Sequence, residues 1–293
     1  MPTNITRRSL LLSLLFFLTS VLQANVETDT TKNIVYAEVS NRKLLLDLYM
    51  PTGNSNPYLI IWVHGGAWHS GSKADPPLAL VSSGYALASI DFRLSTEAPF
   101  PAQIHDIKAA VRFLRGNAKK FRYRADKIAI WGSSSGGHLV SLAGTTNNDP
   151  YYEGTEGNYL SESSAVQGII DFYGPTNFLT ILSQSTPHGI NVRAPALAIF
   201  LGRPVEQAED LAKKASPVFQ VDRTDPPILI VHGDQDIQVP VNQSLELMAA
   251  YKQLGLSYEL EIVSGGGHGG DVYYKSTGYG IRSIKKFLSE VLK

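Results

Sequence analysis

The strongest constraint on this chain is a succession of short, almost uninterrupted apolar runs: "YLIIWV" (58–63), "YALASI" (85–90), "KIAIW" (127–131), "VQGIIDFY" (166–173), "PILIVHG" (227–233) and "SYELEIV" (257–263). A strand with one wet face alternates apolar with polar residues, whereas a strand covered on both faces does not. The runs therefore predict a parallel sheet held between layers of helix. Helices are legible between them. "PAQIHDIKAAVRFLRGNAKKF" places Ile104, Ile107, Val111 and Leu114 at helical spacing, "VNQSLELMAAYKQLG" ends on Gly255 as a C-cap, and "GYGIRSIKKFLSEVLK" is amphipathic. Ahead of the first run, "NIVYAEVS" and "KLLLDLYM" do alternate, and Asn41 and Arg42 between them predict an antiparallel hairpin.

No repeat, low-complexity linker or charge block divides residues 25–293, which are read as one catalytic domain. One segment stands out. Residues 174–226 are rich in Pro, Ser and Asn and read mostly as loop around one short helix, "VEQAEDLAKKA". An excursion of this length at the C-terminal edge of a parallel sheet is expected to be a cap or an active-site wall.

Composition removes whole classes of chemistry. With no cysteine, disulfides, thiolate catalysis and Cys-based metal sites are excluded together. Lys+Arg and Asp+Glu are 26 each, so no global field draws in nucleic acid or an anionic membrane. The seven histidines form no H-E-x-x-H pair, and His64 and His69 are poorly spaced to share a helix face, so no metal centre is expected.

Residues 1–24 read as a secretory signal. Arg7 and Arg8 supply a positive start, Leu10–Leu18 an apolar stretch too short to span a bilayer comfortably, and "VLQAN" closes on the small residue Ala24. A secreted or periplasmic protein, free of the membrane after cleavage, is the expectation. "TRRSLLL" resembles a twin-arginine signal, but the hydrophobic core after it suits the general secretory route better.

The reactive stretch is "IAIWGSSSGGHLVSL" (128–142), a strand-to-helix turn holding three consecutive serines. In a G-x-S-x-G elbow the residues two before and two after the serine must lack side chains, because the backbones nearly touch. Only Ser134 has glycine at both places, Gly132 and Gly136. A serine hydroxyl reacts only when a histidine takes its proton and a carboxylate orients that histidine. His268, in "SGGGHGG" after the last strand, is the histidine that follows the late acidic loop "HGDQDIQVP", which offers Asp234 and Asp236. Position within that loop does not choose between them, and Asp271 is a third acid. His138, one helical turn past Ser134, reads as a packing or surface residue. "VHGGAW" (63–68) presents bare backbone after a strand, as a site for a developing oxyanion requires.

Together "HGGAW", "DFRLSTEAPFPAQIHDIKAAVRFLR", "GSSSGGH", "DFYGP", "HGDQDIQVP" and "GGGHGG" resemble the secreted esterase branch of the α/β-hydrolases, near hormone-sensitive-lipase-like and bacterial feruloyl esterase-like carboxylesterases. The resemblance runs from about Tyr58 to the C-terminus. It implies an α/β-hydrolase fold, a mostly parallel eight-stranded sheet flanked by helices, with a modest cap. It also implies Ser134 as nucleophile, Asp236 as acid, His268 as base, and the backbone N–H groups of Gly66, Ala67 and Ser135 as oxyanion donors, with His64 ordering the loop. No cofactor and no metal are implied, and the oligomeric state is left open. The chain departs from the family in Ala67 for a third glycine, Ser135 where alanine is usual, and Phe92 where tyrosine is common. Asp91 and Arg93 are read as a structural ion pair.

The expected activity is that of a serine carboxylesterase acting on short-chain or aryl esters, acyl groups on plant polysaccharide among them, and acting poorly on long-chain triglyceride. An amidase or peptidase of the same fold, or a silent binding module, are the competing readings. Trp68 and Tyr173, with Phe92 and Phe178 nearby, are the aromatic residues expected around the substrate, core packing being their alternative.

Overall fold

A computed structural model describes residues 28–53 and 56–293. The export signal read in residues 1–24 lies outside them. The described chain forms β1 (Thr28–Val39), β2 (Arg42–Pro51), β3 (Tyr58–Val63), β4 (Ala86–Ile90), β5 (Arg124–Ser133), β6 (Gly168–Phe172), β7 (Ile228–Gly233) and β8 (Tyr258–Val263). They make one eight-stranded sheet in the order β1-β2-β4-β3-β5-β6-β7-β8. Pairing is antiparallel from β1 to β2 and from β2 to β4, and parallel from β4 onward. The hairpin turns one residue earlier than the sequence suggests. Ser40 and Asn41 take positive φ, 49° and 67°, which leaves Arg42 inside β2, paired with Val39.

The apolar runs of β3 to β7 are uninterrupted because both faces of those strands are covered, whereas the edge strand β8 is half-exposed and carries Glu259 and Glu261 in its run. In β3, Leu59, Ile61 and Val63 enter one core with the helix Ala102–Gly116, while Ile60 and Trp62 enter the other with the helix Tyr279–Val291. The last helix turns Ile281, Ile284, Phe287 and Leu288 inward at helical spacing. The helix Ala102–Gly116 is buried further round than an amphipathic stripe. Its Lys108 and Arg112 both reach Glu153, at 3.3 and 2.9 Å, and its Asp106 holds Arg93. Burial pushes the Lys108 ammonium down to about 8.

Between β6 and β7 the chain is more ordered than its composition suggests. A 15-residue helix spans Pro187–Leu201, and the expected short helix resolves into a 3₁₀ turn, Val205–Gln207, followed by Glu209–Ala215. Thr186 caps the long helix, its Oγ1 accepting from the Gly189 N–H at 3.1 Å, and Pro187 occupies the first turn, where no N–H is needed. Pro195 stands inside that helix. Burial of Ala196, Leu197, Phe200 and Leu201 outweighs the hydrogen bond it removes.

The turn from β5 into the helix Ser135–Gly144 explains the two glycines. A Cβ on Gly132 would run into the Gly136 backbone, and a Cβ on Gly136 would run into the carbonyl oxygens of Val63 and His64 at the end of β3. Overpacking against backbone costs about 1–3 kcal/mol. Gly136→Ala is therefore expected to lower Tm in a thermal melt. Gly267→Ala, whose Cβ would meet nothing within 4 Å, is expected to leave Tm unchanged. Equal Tm for both variants would contradict this account of the turn.

Candidate active site

Ser134 sits at the tip of that turn with φ 54° and ψ −123°. An L-residue held there costs about 1–3 kcal/mol, which is sustained only when the surroundings fix it. The Ser134 N–H donates to Phe172 O at 2.8 Å, tying the elbow to the end of β6. His268 Nε2 is 2.9 Å from Ser134 Oγ, and His268 Nδ1 is 2.6 Å from Asp236 Oδ2. An ionised carboxylate only accepts, so Nδ1 carries the ring proton, and Nε2 is left as acceptor for the serine hydroxyl. The three side chains make one directed hydrogen-bond chain, an arrangement that can take a proton from Ser134 Oγ.

The Asp236 side chain is fully buried, and each oxygen has defined partners. Oδ1 accepts from the N–H groups of Gln238 (2.8 Å) and Val239 (2.9 Å), which turns Oδ2 toward His268. His232 Nε2 stands 3.3 Å from the same Oδ2 while donating to Val239 O at 3.0 Å. Burial pushes the Asp236 carboxyl up, but the hydrogen bonds from His232 and His268 outweigh it and hold it well below the usual carboxylate range. The other acids are used elsewhere. Asp234 Oδ1 accepts from the Gly265 N–H at 2.7 Å, and the exposed Asp271 pairs with Lys275 at 2.6 Å.

The loop after β3 orients two N–H groups by fixing the carbonyls in front of them. His64 Nδ1 donates to Gly65 O at 2.7 Å, and His69 N (3.2 Å), Ser70 N (3.0 Å) and Ser70 Oγ (2.9 Å) all donate to Gly66 O. In a trans peptide the N–H points opposite to the C=O. The Gly66 and Ala67 N–H groups are thus turned away from those donors, and neither meets a protein acceptor among the described residues. Gly65 lies so close to the elbow that a Cβ there would come 3.0 Å from Ser133 O and 3.4 Å from Ser134 Cβ. Ser135 opens its helix, where the first N–H groups have no intrahelical partner and the helix dipole is positive. His64 stacks on Phe92, ring centroids 4.5 Å apart, so the phenyl ring braces the loop.

The expected aromatic substrate contacts need correction. Trp68 is wholly buried, packed on Phe178 and Phe200, and its indole Nε1 donates to His138 Nδ1 at 3.0 Å, so its side chain cannot face a ligand. Tyr173 is 3% exposed. Its ring stacks edge-on to His268 at 4.8 Å and its hydroxyl bonds to that of Tyr274, so it backs the histidine rather than opening onto an acyl pocket. Phe92 and Phe178 are buried as well. Asp91 and Arg93 do not pair with each other. Asp91 accepts from the Lys73 N–H at 2.7 Å, and Arg93 binds Asp106 and Glu156.

Three residues gave no sequence signal. His232 reads as part of a strand yet stands against Asp236. Arg193, buried in the helix Pro187–Leu201, holds Gln238 O (3.2 Å) and Gln238 Oε1 (3.3 Å) and so ties the segment between β6 and β7 to the acid loop. Asp171 accepts from the Gly174 N–H (2.9 Å) and from Ser141 Oγ (3.0 Å), joining the end of β6 to the helix Ser135–Gly144. Burial pushes Asp171 up to about 6 against the pull of those two donors.

The BD-FAE family model matches residues 46–251. Esterase LipC of Mycobacterium tuberculosis is 33% identical over 261 residues, covering 84% of this chain and 62% of LipC. Esterase LipQ of the same organism is 30% identical, with 77% of this chain and 53% of LipQ covered. The chain thus spans about half to three-fifths of the length of these curated relatives. Among solved structures, a truncated carbohydrate esterase from gut microbiota superposes with a TM-score of 0.81 at 33% identity, covering 91% of this chain and 97% of that one. With the family model spanning most of the chain, and a relative of this identity matched almost end to end, the chain belongs to the BD-FAE family of α/β-hydrolase proteins.

Proposed function

We propose that the chain is a serine carboxylic-ester hydrolase working through an acyl-enzyme, on short-chain or aryl esters, acyl groups borne by plant polysaccharide among them. The observation that carries this reading is the unbroken relay from Asp236 through His268 to Ser134. Ser134 Oγ attacks the ester carbonyl carbon as its proton passes to His268 Nε2, and the carbonyl oxygen, now negative, takes hydrogen bonds from the Gly66, Ala67 and Ser135 N–H groups. The imidazolium returns that proton to the departing alkoxide, leaving Ser134 acylated. Water then attacks with its proton passing to Nε2, and collapse frees the acid as that proton returns from Nε2 to Ser134 Oγ. Asp236 stays ionised throughout and holds the ring in the tautomer the cycle needs. A silent binding module has no use for a buried carboxylate aimed at a histidine, which disfavours that alternative.

Support for short acyl groups comes from where the apolar side chains of residues 174–226 go. Phe178, Ile181, Leu197 and Phe200 are consumed in packing, the aromatic ones on Trp68, so they are not left to line a tunnel. Long acyl selection needs such lining, since each buried CH₂ contributes about 0.8 kcal/mol. The gut-microbiota relative is a carbohydrate esterase, which supports the polysaccharide part. The burial of Trp68 and Tyr173 takes their ring faces away from any aryl group, so the aryl part of the reading is tested by kcat/KM on a feruloyl ester against an acetyl ester.

Ser134→Ala should lower kcat on an activated acetate ester by on the order of 10⁴-fold, with Ser133→Ala and Ser135→Ala near the parent. In the same assay Asp236→Asn should cost orders of magnitude in kcat with Asp234→Asn close to silent; the reverse pattern would reassign the acid. Along a p-nitrophenyl series from acetate to palmitate, kcat/KM should peak at the short end. A maximum at lauryl or longer esters would overturn the substrate reading.

A further inference from the structure

The strained part of the site is the loop that aims the Gly66 and Ala67 N–H groups. Gly66, Ala67 and Trp68 take consecutive positive φ values, 116°, 51° and 62°. Two of them are L-residues, and Trp is among the bulkiest that can be placed there, so the surroundings must hold the loop against relaxation. Relaxation would rotate the peptide planes on which both N–H directions depend. At its front the loop is held by donors to Gly65 O and Gly66 O. At its back, Trp68 O accepts from the Ser95 N–H at 2.8 Å, and the indole is pinned by His138.

His138 has both ring nitrogens engaged in a fully buried place. The indole N–H of Trp68 can only donate, so Nδ1 of His138 accepts it, and Nε2 therefore carries the proton and donates to Ala215 O at 2.6 Å. Phe178 and Phe200 enclose the ring at 4.8 and 5.5 Å. Burial pushes the imidazole down to about 4, so the ring stays neutral, in this tautomer, through the neutral pH range. His138 also stands one turn beyond Ser134 on the nucleophile helix, where its N–H donates to Ser134 O at 3.0 Å. One side chain thus joins the nucleophile helix, the donor loop and the end of the helix Glu209–Ala215.

We propose that His138 is a positioning residue for the ester hydrolysis reaction: through the indole of Trp68 it holds the Gly66 and Ala67 N–H groups in register with Ser134. The proposal rests on the esterase reading above. The N–H groups matter most when the carbonyl oxygen has become an anion, so loosening them should fall on kcat and spare KM. A residue that only packs would instead change Tm with kcat little altered.

The two amides separate the two hydrogen bonds. The oxygen of Asn occupies the Nδ1 position and can still accept from Trp68, whereas the amide nitrogen of Gln occupies the Nε2 position and keeps only the bond to Ala215. With p-nitrophenyl acetate, His138→Asn should stay within about threefold of the parent kcat, while His138→Gln, His138→Leu and Trp68→Phe each lose about 10–100-fold with KM within about twofold, a fraction of the loss from deleting an oxyanion donor. The His138→Leu, Trp68→Phe double variant should lose no more than either single change, because both cut the same link. Trp68→Phe keeps the packing and carries the test alone if the His138 variants do not fold. Parent-like kcat in Trp68→Phe, additive losses, or a loss carried by KM would overturn the role of His138. Absence of turnover in the parent protein would overturn the esterase reading itself, and the proposal with it.

Discussion

The end of β3 presses directly on the turn from β5 into the helix Ser135–Gly144, and the geometry of the candidate active site follows from that contact. Gly65, Gly132 and Gly136 meet backbone or Ser134 where any other residue would place a Cβ. Their bareness allows the β3 loop, the helix N-terminus and Ser134 Oγ to converge. Ser134 and the loop after β3 both take backbone conformations that L-residues avoid, so the closeness of the two segments is sustained by neighbours rather than by local preference.

Around this contact the charge is kept where it is needed. Asp236 is buried, yet its oxygens are met by the N–H groups of Gln238 and Val239 and by two histidines, so it remains ionised. The segment between β6 and β7 reaches both halves of the site. Arg193 grips Gln238 beside Asp236, and Ala215 O accepts from His138 beside the loop after β3. A segment of this kind is expected to influence turnover through the positions of others even where it meets no substrate.

Much of this was legible in the sequence, and the failures have physical causes. Strands covered on both faces leave apolar runs that can be read without a structure, and β3 to β8 fall within a few residues of them. Ser134 was legible because close backbone approach demands two glycines at fixed places. Asp234 and Asp236 could not be separated by position in one loop; what differs is the turn that directs two N–H groups at Asp236 Oδ1 and frees Oδ2 for His268. The helix Pro187–Leu201 was missed because Pro195 and a broken apolar period argue against a helix that tertiary burial supports. For Trp68 and Tyr173 the sequence allows either substrate contact or core packing, because a loop aromatic can face solvent or fill the space behind the loop; tertiary packing puts both behind it.

The central claim, that Ser134 is a nucleophile activated by His268, is tested most directly by reaction with a fluorophosphonate followed by tandem mass spectrometry of the labelled peptide. The account predicts one adduct per chain, on Ser134, with Ser133 and Ser135 unmodified. An active esterase that gives no adduct, or that carries it on another residue, would contradict the account.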